Sequence, residues 1–349
     1  DGGMKSIAIA LSGGVDSAVA ALLLKDRGYD VFGITMSISE YTNKKIDTAA
    51  QIAEKLNIPH HVVDLKTEFS KKIIQPFCHN YGVGKTPNPC VLCNYYIKFN
   101  ALLEKAKEYG ASLLATGHYG RILETEEGFK LLKGIDSVKD QSYFLYMLKQ
   151  EQLKYLLMPL GGLSKAEVKK IAVGLGIDTV IEHESQDICF IPNNDFDKFI
   201  SENVDTESGN ILDVDGEIIG EHRGLAYYTI GQRQGLGLSA SGRRYIVKLD
   251  AANNTVILGE RDRLFLTRLR AGNLTWISGD VPSRMEQISA KIRYRAPQSP
   301  VKIRLNDNDC EVEFEQPQWA ITPGQSIVFY RGDEVLGGGI IETPDALMS

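Results

Sequence analysis

A short apolar run at 6–11, Ser-Ile-Ala-Ile-Ala-Leu, ends in Ser12-Gly13-Gly14-Val15-Asp16-Ser17, and Ala-Val-Ala-Ala-Leu-Leu-Leu-Lys follows at 18–25. The first run reads as a buried parallel strand and the last as a helix. A strand, a glycine-rich turn and a helix N-terminus make an anion site. Successive backbone N–H groups point at the ligand there, and the helix dipole favours negative charge. Gly13 and Gly14 let the backbone approach a phosphate closely. The chain is thus expected to open as an α/β sheet with a phosphate loop at its first strand end.

No Gly-Lys-Ser/Thr follows the glycines, so this is not a Walker A loop with its lysine. Asp16 stands in the loop instead, suited to holding Mg²⁺. The pattern SGGxDS resembles the loop of the ATP pyrophosphatases. That resemblance implies ATP cut between its α and β phosphates and an adenylated product.

Further apolar runs continue the α/β pattern. Residues 31–36 and 61–64 read as strands, 47–56 and 102–109 as helices, and 112–118 as a fourth strand. Strands alternating with helices imply a parallel sheet, with ligands at the carboxyl ends of its strands. Ser12, Met36, Gly117 and His118 all fall at such ends. Past residue 204 the helical periodicity fades, and short alternating runs (210–216, 245–249, 301–305, 326–330) are separated by Asp-Gly and Asn-Asn turns. That is all-β, with a break expected near 264–269.

A chain of 349 residues is expected to hold two or three domains. Apolar residues at 43% and charged residues at 24% are ordinary for a globular protein. No apolar run approaches the ~20 residues of a membrane span. Asp1-Gly2-Gly3 reads as a cloning remnant with no secretory leader, so a cytoplasmic setting with reduced thiols is expected. The net charge of −6 argues against broad, non-specific nucleic-acid binding. Local basic patches remain at Lys291-Ile292-Arg293-Tyr294-Arg295, at Gly242-Arg243-Arg244 and over 261–270.

The five cysteines add chemistry. Cys90 and Cys93 form a C-x-x-C in Thr86-Pro87-Asn88-Pro89-Cys90-Val91-Leu92-Cys93, where two prolines suggest a loop and a helix is expected over 95–106. A thiol at a helix N-terminus has a lowered pKa, which is the expectation here. Cys189 lies far downstream. With no second C-x-x-C, a Cys₄ zinc site is unsupported. Cys78 and Cys310 read as ordinary packing residues, and His60 and His61 as structural.

Motifs along the whole chain resemble one family, the tRNA-specific 2-thiouridylases. They are LSGGVDS (11–17), GKTPNPCVLCNYYIKF (84–99), ATGHYGR (115–121), KDQSYFLY (139–146), ESQDICFIP (184–192), YTIGQRQGLG (228–237), AKIRYR (290–295), TPGQSIVFY (322–330) and LGGGII (336–341). The resemblance implies an α/β ATP-pyrophosphatase domain (4–204), a small central β domain (205–265) and a C-terminal β-barrel (266–349). It implies that Ala10, Leu11, Ser12, Gly13, Gly14, Val15, Asp16 and Ser17 hold ATP, with Met36 and Gly117 nearby. Cys93 would be the nucleophile and Cys189 the persulfide carrier. Asn88, Pro89 and Cys90 would border the target base. His118, Lys139, Asp140, Gln141, Arg293, Tyr294 and Gln325 would contact tRNA, and 227–237 would lean on it. The implied partners are tRNA, through an anticodon stem-loop with a wobble uridine, and a sulfur-donor protein or inorganic sulfide. A monomer is expected.

Two departures from the family pattern matter. Many members carry aspartate where Cys90 stands. Three thiolates from Cys90, Cys93 and Cys189 would suit a [4Fe–4S] cluster with one iron open to sulfide, as an alternative to the persulfide route. The segment 37–43 after Met36 is also short. Two other functions stay open on the loop alone: another adenylating tRNA- or nucleobase-modifying enzyme, and a non-catalytic tRNA-binding or Fe–S protein.

Overall fold

The computed structural model describes residues 5–174, 176, 188–236 and 244–344. Asp187, Gly237, Gly242 and Arg243 fall outside the described residues.

The chain opens on a five-stranded, all-parallel sheet. In spatial order its strands are His60–Asp64, Asp30–Ser37, Ser6–Ala10, Leu113–Ala115 and Leu156–Leu157. Alternation along the first strand sends Ile7 and Ile9 to one core and Ala8 to the other. Both faces are covered, as a parallel sheet requires. The helices Val15–Asp26 and Lys165–Gly174 pack against each other on the Ile7/Ile9 side. On the other side Ile97, Leu102 and Leu103 pack against Ala8, Ile34 and Leu114. The sequence order reverses between Ser6–Ala10 and Leu113–Ala115, and the crevice beyond their carboxyl ends is where such sheets bind ligands.

A second sheet has four strands in the order Tyr245–Asp250, Thr255–Gly259, Gly209–Asp213 and Ile218–His222. It closes over Ile211, Tyr228, Ile246, Val256 and Leu258. The C-terminal strands Phe265–Trp276, Asp309–Trp319, Ser299–Asn306, Ser289–Lys291, Ser326–Arg331 and Glu334–Pro344 follow one another in a sheet. Phe265–Trp276 also pairs with Glu334–Pro344, which closes a six-stranded barrel. Val312, Phe314, Ile327 and Phe329 fill it, and Cys310 is buried among them. The barrel is extended by a hairpin, Gly120–Thr125 and Gly128–Lys133, that belongs by sequence to the first half, with Val335 opposite Leu131.

Several local expectations change. The fourth strand stops at Ala115, which leaves Thr116, Gly117 and His118 as a turn facing the crevice. The cysteine motif is helical throughout. Pro89 takes the first helical position, where its missing N–H costs nothing, and Pro89–Leu92 runs into a π-helical stretch, Cys93–Ala101. Among the described residues no helix is long and apolar enough to cross a membrane.

Candidate active site

The phosphate loop is closed by its own serines. The Ser12 N–H donates to Ser17 Oγ at 3.2 Å, and Ser17 Oγ donates to the Gly14 carbonyl at 3.0 Å. Gly13 sits at φ +75 with the Lys45 carbonyl where a Cβ would go, 2.9 Å away, so only glycine fits. Gly14 caps the helix Val15–Asp26 with no side-chain hydrogen bond, and the first-turn N–H groups are left to an anion. This geometry suits a polyphosphate. Because Ala10 stands opposite Ile34, Met36 lies level with Ser12 on the neighbouring strand and is half-buried. A Cβ on Gly117 would lie 2.7 Å from the backbone of both Asp16 and Ser17, so that turn presses on the loop. The structure thus gathers Ala10, Leu11, Ser12, Gly13, Gly14, Val15, Asp16, Ser17, Met36 and Gly117 at one strand end.

Asp16 is engaged by two residues that sequence reasoning did not single out. Lys165 Nζ lies 2.7 Å from Asp16 Oδ1, and the Tyr119 hydroxyl donates to the same oxygen at 2.8 Å. The second carboxylate oxygen is the one suited to Mg²⁺, alongside substrate phosphates.

The residue after Gly117 connects the loop to the thiols. His118 Nδ1 is 2.9 Å from Thr116 Oγ1, and its ring lies 5.5 Å from that of Phe99. Burial, with the charge of Lys98, holds His118 well below the ordinary imidazole range. The same Lys98 acts on Cys90 and Cys93. It lies five residues past Cys93, which the wider π-turn brings to the same side of the helix. Sequence reasoning missed Lys98 because its distance from Cys93 suits no α-helical face.

All five cysteines are free thiols: Cys93 and Cys310 buried, Cys90 and Cys189 exposed, Cys78 between. Cys90, Cys93 and Cys189 are close enough to act on one another, although Cys189 is on a distant segment. The expected lowering of the thiol pKa is corrected. Burial pushes Cys93 up to about 12, and crowded surroundings push Cys90 up as well; the Cys189 charge adds to both, and Lys98 only partly offsets the rise. Desolvation outweighs the helix-terminus effect because Cys93 is buried and even the more exposed Cys90 is crowded by surrounding protein. Among the described residues, no three Cys, His, Asp or Glu side chains are gathered closely enough to hold a single metal ion.

The remaining candidates divide between site and scaffold. Asn88 is half-buried and hydrogen-bonded to the Tyr143 phenol, and Pro89 is buried. Asp140 is buried, and its carboxylate accepts from the N–H groups of Gly134 and Ser142 and from Ser142 Oγ. It holds its loop from within. Gln141 Oε1 accepts from the Tyr119 N–H, and Lys139 is half-exposed on the same loop. Arg293 Nη2 donates to the carbonyls of Trp319 and Ala320, and Tyr294 packs on Phe144 with ring centres 4.6 Å apart. The basic patch over 261–270 is partly neutralised, with Arg268 on Glu313 and Arg270 on Asp309.

Fold and site together define an α/β protein with a glycine-rich anion loop, a neighbouring histidine and a group of cysteines that share the influence of Lys98. Three family models match along the chain: the tRNA methyl transferase HUP domain over 5–193, the tRNA methyl transferase PRC-barrel domain over 197–260 and the aminomethyltransferase beta-barrel domain over 266–341. The tRNA-specific 2-thiouridylase MnmA of Dehalococcoides mccartyi is 45% identical, with 96% of each chain covered. That of Geotalea uraniireducens is 46% identical, over 97% of this chain and 95% of the relative. That of Carboxydothermus hydrogenoformans is 44% identical, over 97% and 98%. The chain belongs to the tRNA-specific 2-thiouridylase family.

Proposed function

We propose that the chain is a sulfurtransferase that replaces the C2 oxygen of a wobble uridine in tRNA by sulfur, consuming ATP. What supports this reading is the close approach of Gly117 to the phosphate loop, together with Lys98, whose charge acts both on the adjoining His118 and on Cys90 and Cys93. The C2 oxygen is a poor leaving group. In the first step it attacks the α-phosphorus, the α–β bridge breaks, pyrophosphate departs with the electron pair and the uracil N3 proton is lost. The residues 10–17, Met36 and Gly117 hold the nucleotide, Asp16 holds Mg²⁺ when it is bound, and Mg²⁺ offsets phosphate charge.

In the second step sulfur attacks C2 and AMP leaves. Cys189 is exposed and accessible to a sulfur-donor protein, whereas Cys93 is buried beside it. A Cys189 persulfide supplies its terminal sulfur to C2. The Cys93 thiol then attacks the Cys189 sulfur, which leaves 2-thiouridine and a Cys93–Cys189 disulfide for an external thiol to reduce. A second reading rests on the mutual electrostatic influence of the three thiols, which among the described residues are not gathered closely enough to hold a single metal ion. Cys90, Cys93 and Cys189 would then hold a [4Fe–4S] cluster, which supplies an open iron for inorganic sulfide. Asn88, Pro89 and Cys90 border the base; His118, the loop of Lys139, Asp140 and Gln141, and Arg293, Tyr294 and Gln325 line the tRNA side. The enzyme works as a monomer in the cytoplasm.

The test is a pair of variants assayed with tRNA and ATP. Cys93→Ser should still release pyrophosphate but make no 2-thiouridine. Asp16→Ala should lose both and keep tRNA binding. Thiolation that survives Asp16→Ala would overturn the assignment.

A further inference from the structure

Lys165 begins the helix Lys165–Gly174, which packs against the helix of the phosphate loop. It is held from both ends. Its backbone N–H donates to Asp136 Oδ2 at 2.8 Å, and the other oxygen of Asp136 accepts from the N–H groups of Val138 and Lys139. Its ammonium lies 2.7 Å from Asp16 Oδ1 and 5.8 Å from the centre of the Tyr119 ring, with the side chain only 10% exposed. Withdrawing an ammonium from water to this degree is costly, and pairing it with a carboxylate recovers that cost poorly. Stability alone is therefore a weak reason for the placement.

The surroundings supply a stronger one. The loop beside it has uncapped N–H groups arranged for an anion, yet Asp16 brings a negative charge into that same first turn. A polyphosphate would meet Asp16 as a like charge unless a cation stood with it. The loop has no lysine of its own; Lys165 brings one from 149 residues away. We infer that Lys165 is a phosphate ligand for the pyrophosphate half of ATP, bridging it to Asp16. As the α–β bridge breaks, the electron pair goes to pyrophosphate, and the fixed ammonium stabilises the charge that collects there. Tyr119 donates to the same oxygen of Asp16 and helps to hold that carboxylate in place.

This inference rests on the reading of the loop as an ATP site, and the test separates the two. Binding of ATP, inorganic pyrophosphate and AMP is measured by calorimetry on the full chain. Lys165→Met should weaken ATP and pyrophosphate at least tenfold and leave AMP unchanged. Unchanged ATP and pyrophosphate binding would overturn the inference while the ATP site stood. Equal weakening of all three ligands would reduce Lys165 to a structural pair and overturn it too. A wild-type chain that bound no ATP would sink the ATP reading and this one with it. Asp16→Asn gives a second measure that does not depend on the folding of the first variant. In Mg²⁺-free buffer it should tighten pyrophosphate binding, because the ammonium is no longer shared; unchanged or weaker binding would count against the inference.

Discussion

Gln325 of the barrel donates from Nε2 to the main-chain carbonyl of Thr86, at 2.8 Å, four residues ahead of Cys90. The Thr86 N–H donates to the Pro323 carbonyl at 2.9 Å, and its hydroxyl is 3.1 Å from that of Thr229. All three parts of the chain therefore meet on one residue at the entrance to the cysteine helix. Pro87 and Pro89 stiffen the approach from Thr86 to Cys90, since a residue before proline is confined to extended backbone. The position of Cys90 and Cys93 is thus set partly from outside the domain that carries them.

This arrangement predicts the effect of Gln325→Ala. Losing one partly buried hydrogen bond is worth about 1 kcal/mol, or roughly fivefold in an equilibrium. Thiolation turnover should fall about five- to tenfold, with ATP affinity unchanged. The affinity for tRNA decides the role: an unchanged Kd marks a clamp on the cysteine helix, and a raised Kd marks a direct RNA contact.

Asp140→Ala should act on stability. Three donors lose a buried carboxylate at once, and hydrogen bonds to charged groups are worth about 1.5–3 kcal/mol each before relaxation. A drop of about 2–4 kcal/mol in unfolding free energy is expected, read from the urea midpoint. A variant of native stability with weakened tRNA binding would return Asp140 to the surface role that the sequence suggested.

Titration gives a third prediction. Cys93 in the folded chain titrates at about 12, as do the buried Tyr81 and Tyr146 phenols. In the unfolded chain thiols titrate near about 8.5 and phenols near about 10. Between those values the unfolded state releases protons that the folded state keeps, so stability falls as pH rises from about 9 towards 12. His118 works the other way: its folded pKa is depressed, so stability falls as pH drops below the ordinary imidazole value of 6.5. Lys98→Met should raise the pKa of Cys90, Cys93 and His118 together. Iodoacetamide should then label the thiols more slowly at a given pH, and the imidazole resonances should move at higher pH. Faster labelling would remove Lys98 from the site.

The parts that were legible in the sequence are those written locally. SGGVDS announces its loop because strand, glycines and helix are contiguous, and the family motifs carry the rest of the outline. What was missed depends on distance or depth. Lys165 meets Asp16 only through helix packing, and nothing in Lys165-Ala166-Glu167 marks it. Lys98 shares a side with Cys93 only because the helix widens to a π-turn. The burial of Asp140 was not legible because a charge in a motif does not say whether it faces outward. The thiol pKa values went the opposite way because burial, invisible in a C-x-x-C pattern, outweighs a helix terminus.

The last prediction concerns Cys90, where the two sulfur routes demand opposite signs. Its charge raises the pKa of Cys93, so removing it makes Cys93 easier to ionise. On the persulfide route Cys90→Ser therefore keeps thiolation with a persulfide donor in air, and Cys93 alkylates faster than in the wild type. This is the expected outcome, because exposed Cys189 and buried Cys93 suffice for donor access and release. On the cluster route the same change removes one of three iron ligands. Wild-type protein prepared without oxygen would then show about four irons per chain with a broad band near ~400 nm, and the variant would lose both along with sulfide-dependent activity. Three thiolates held together without a metal repel one another, which Lys98 only partly offsets, whereas coordination to iron would deprotonate all three outright. Iron content and thiolation activity, measured on the same two preparations, decide between the routes.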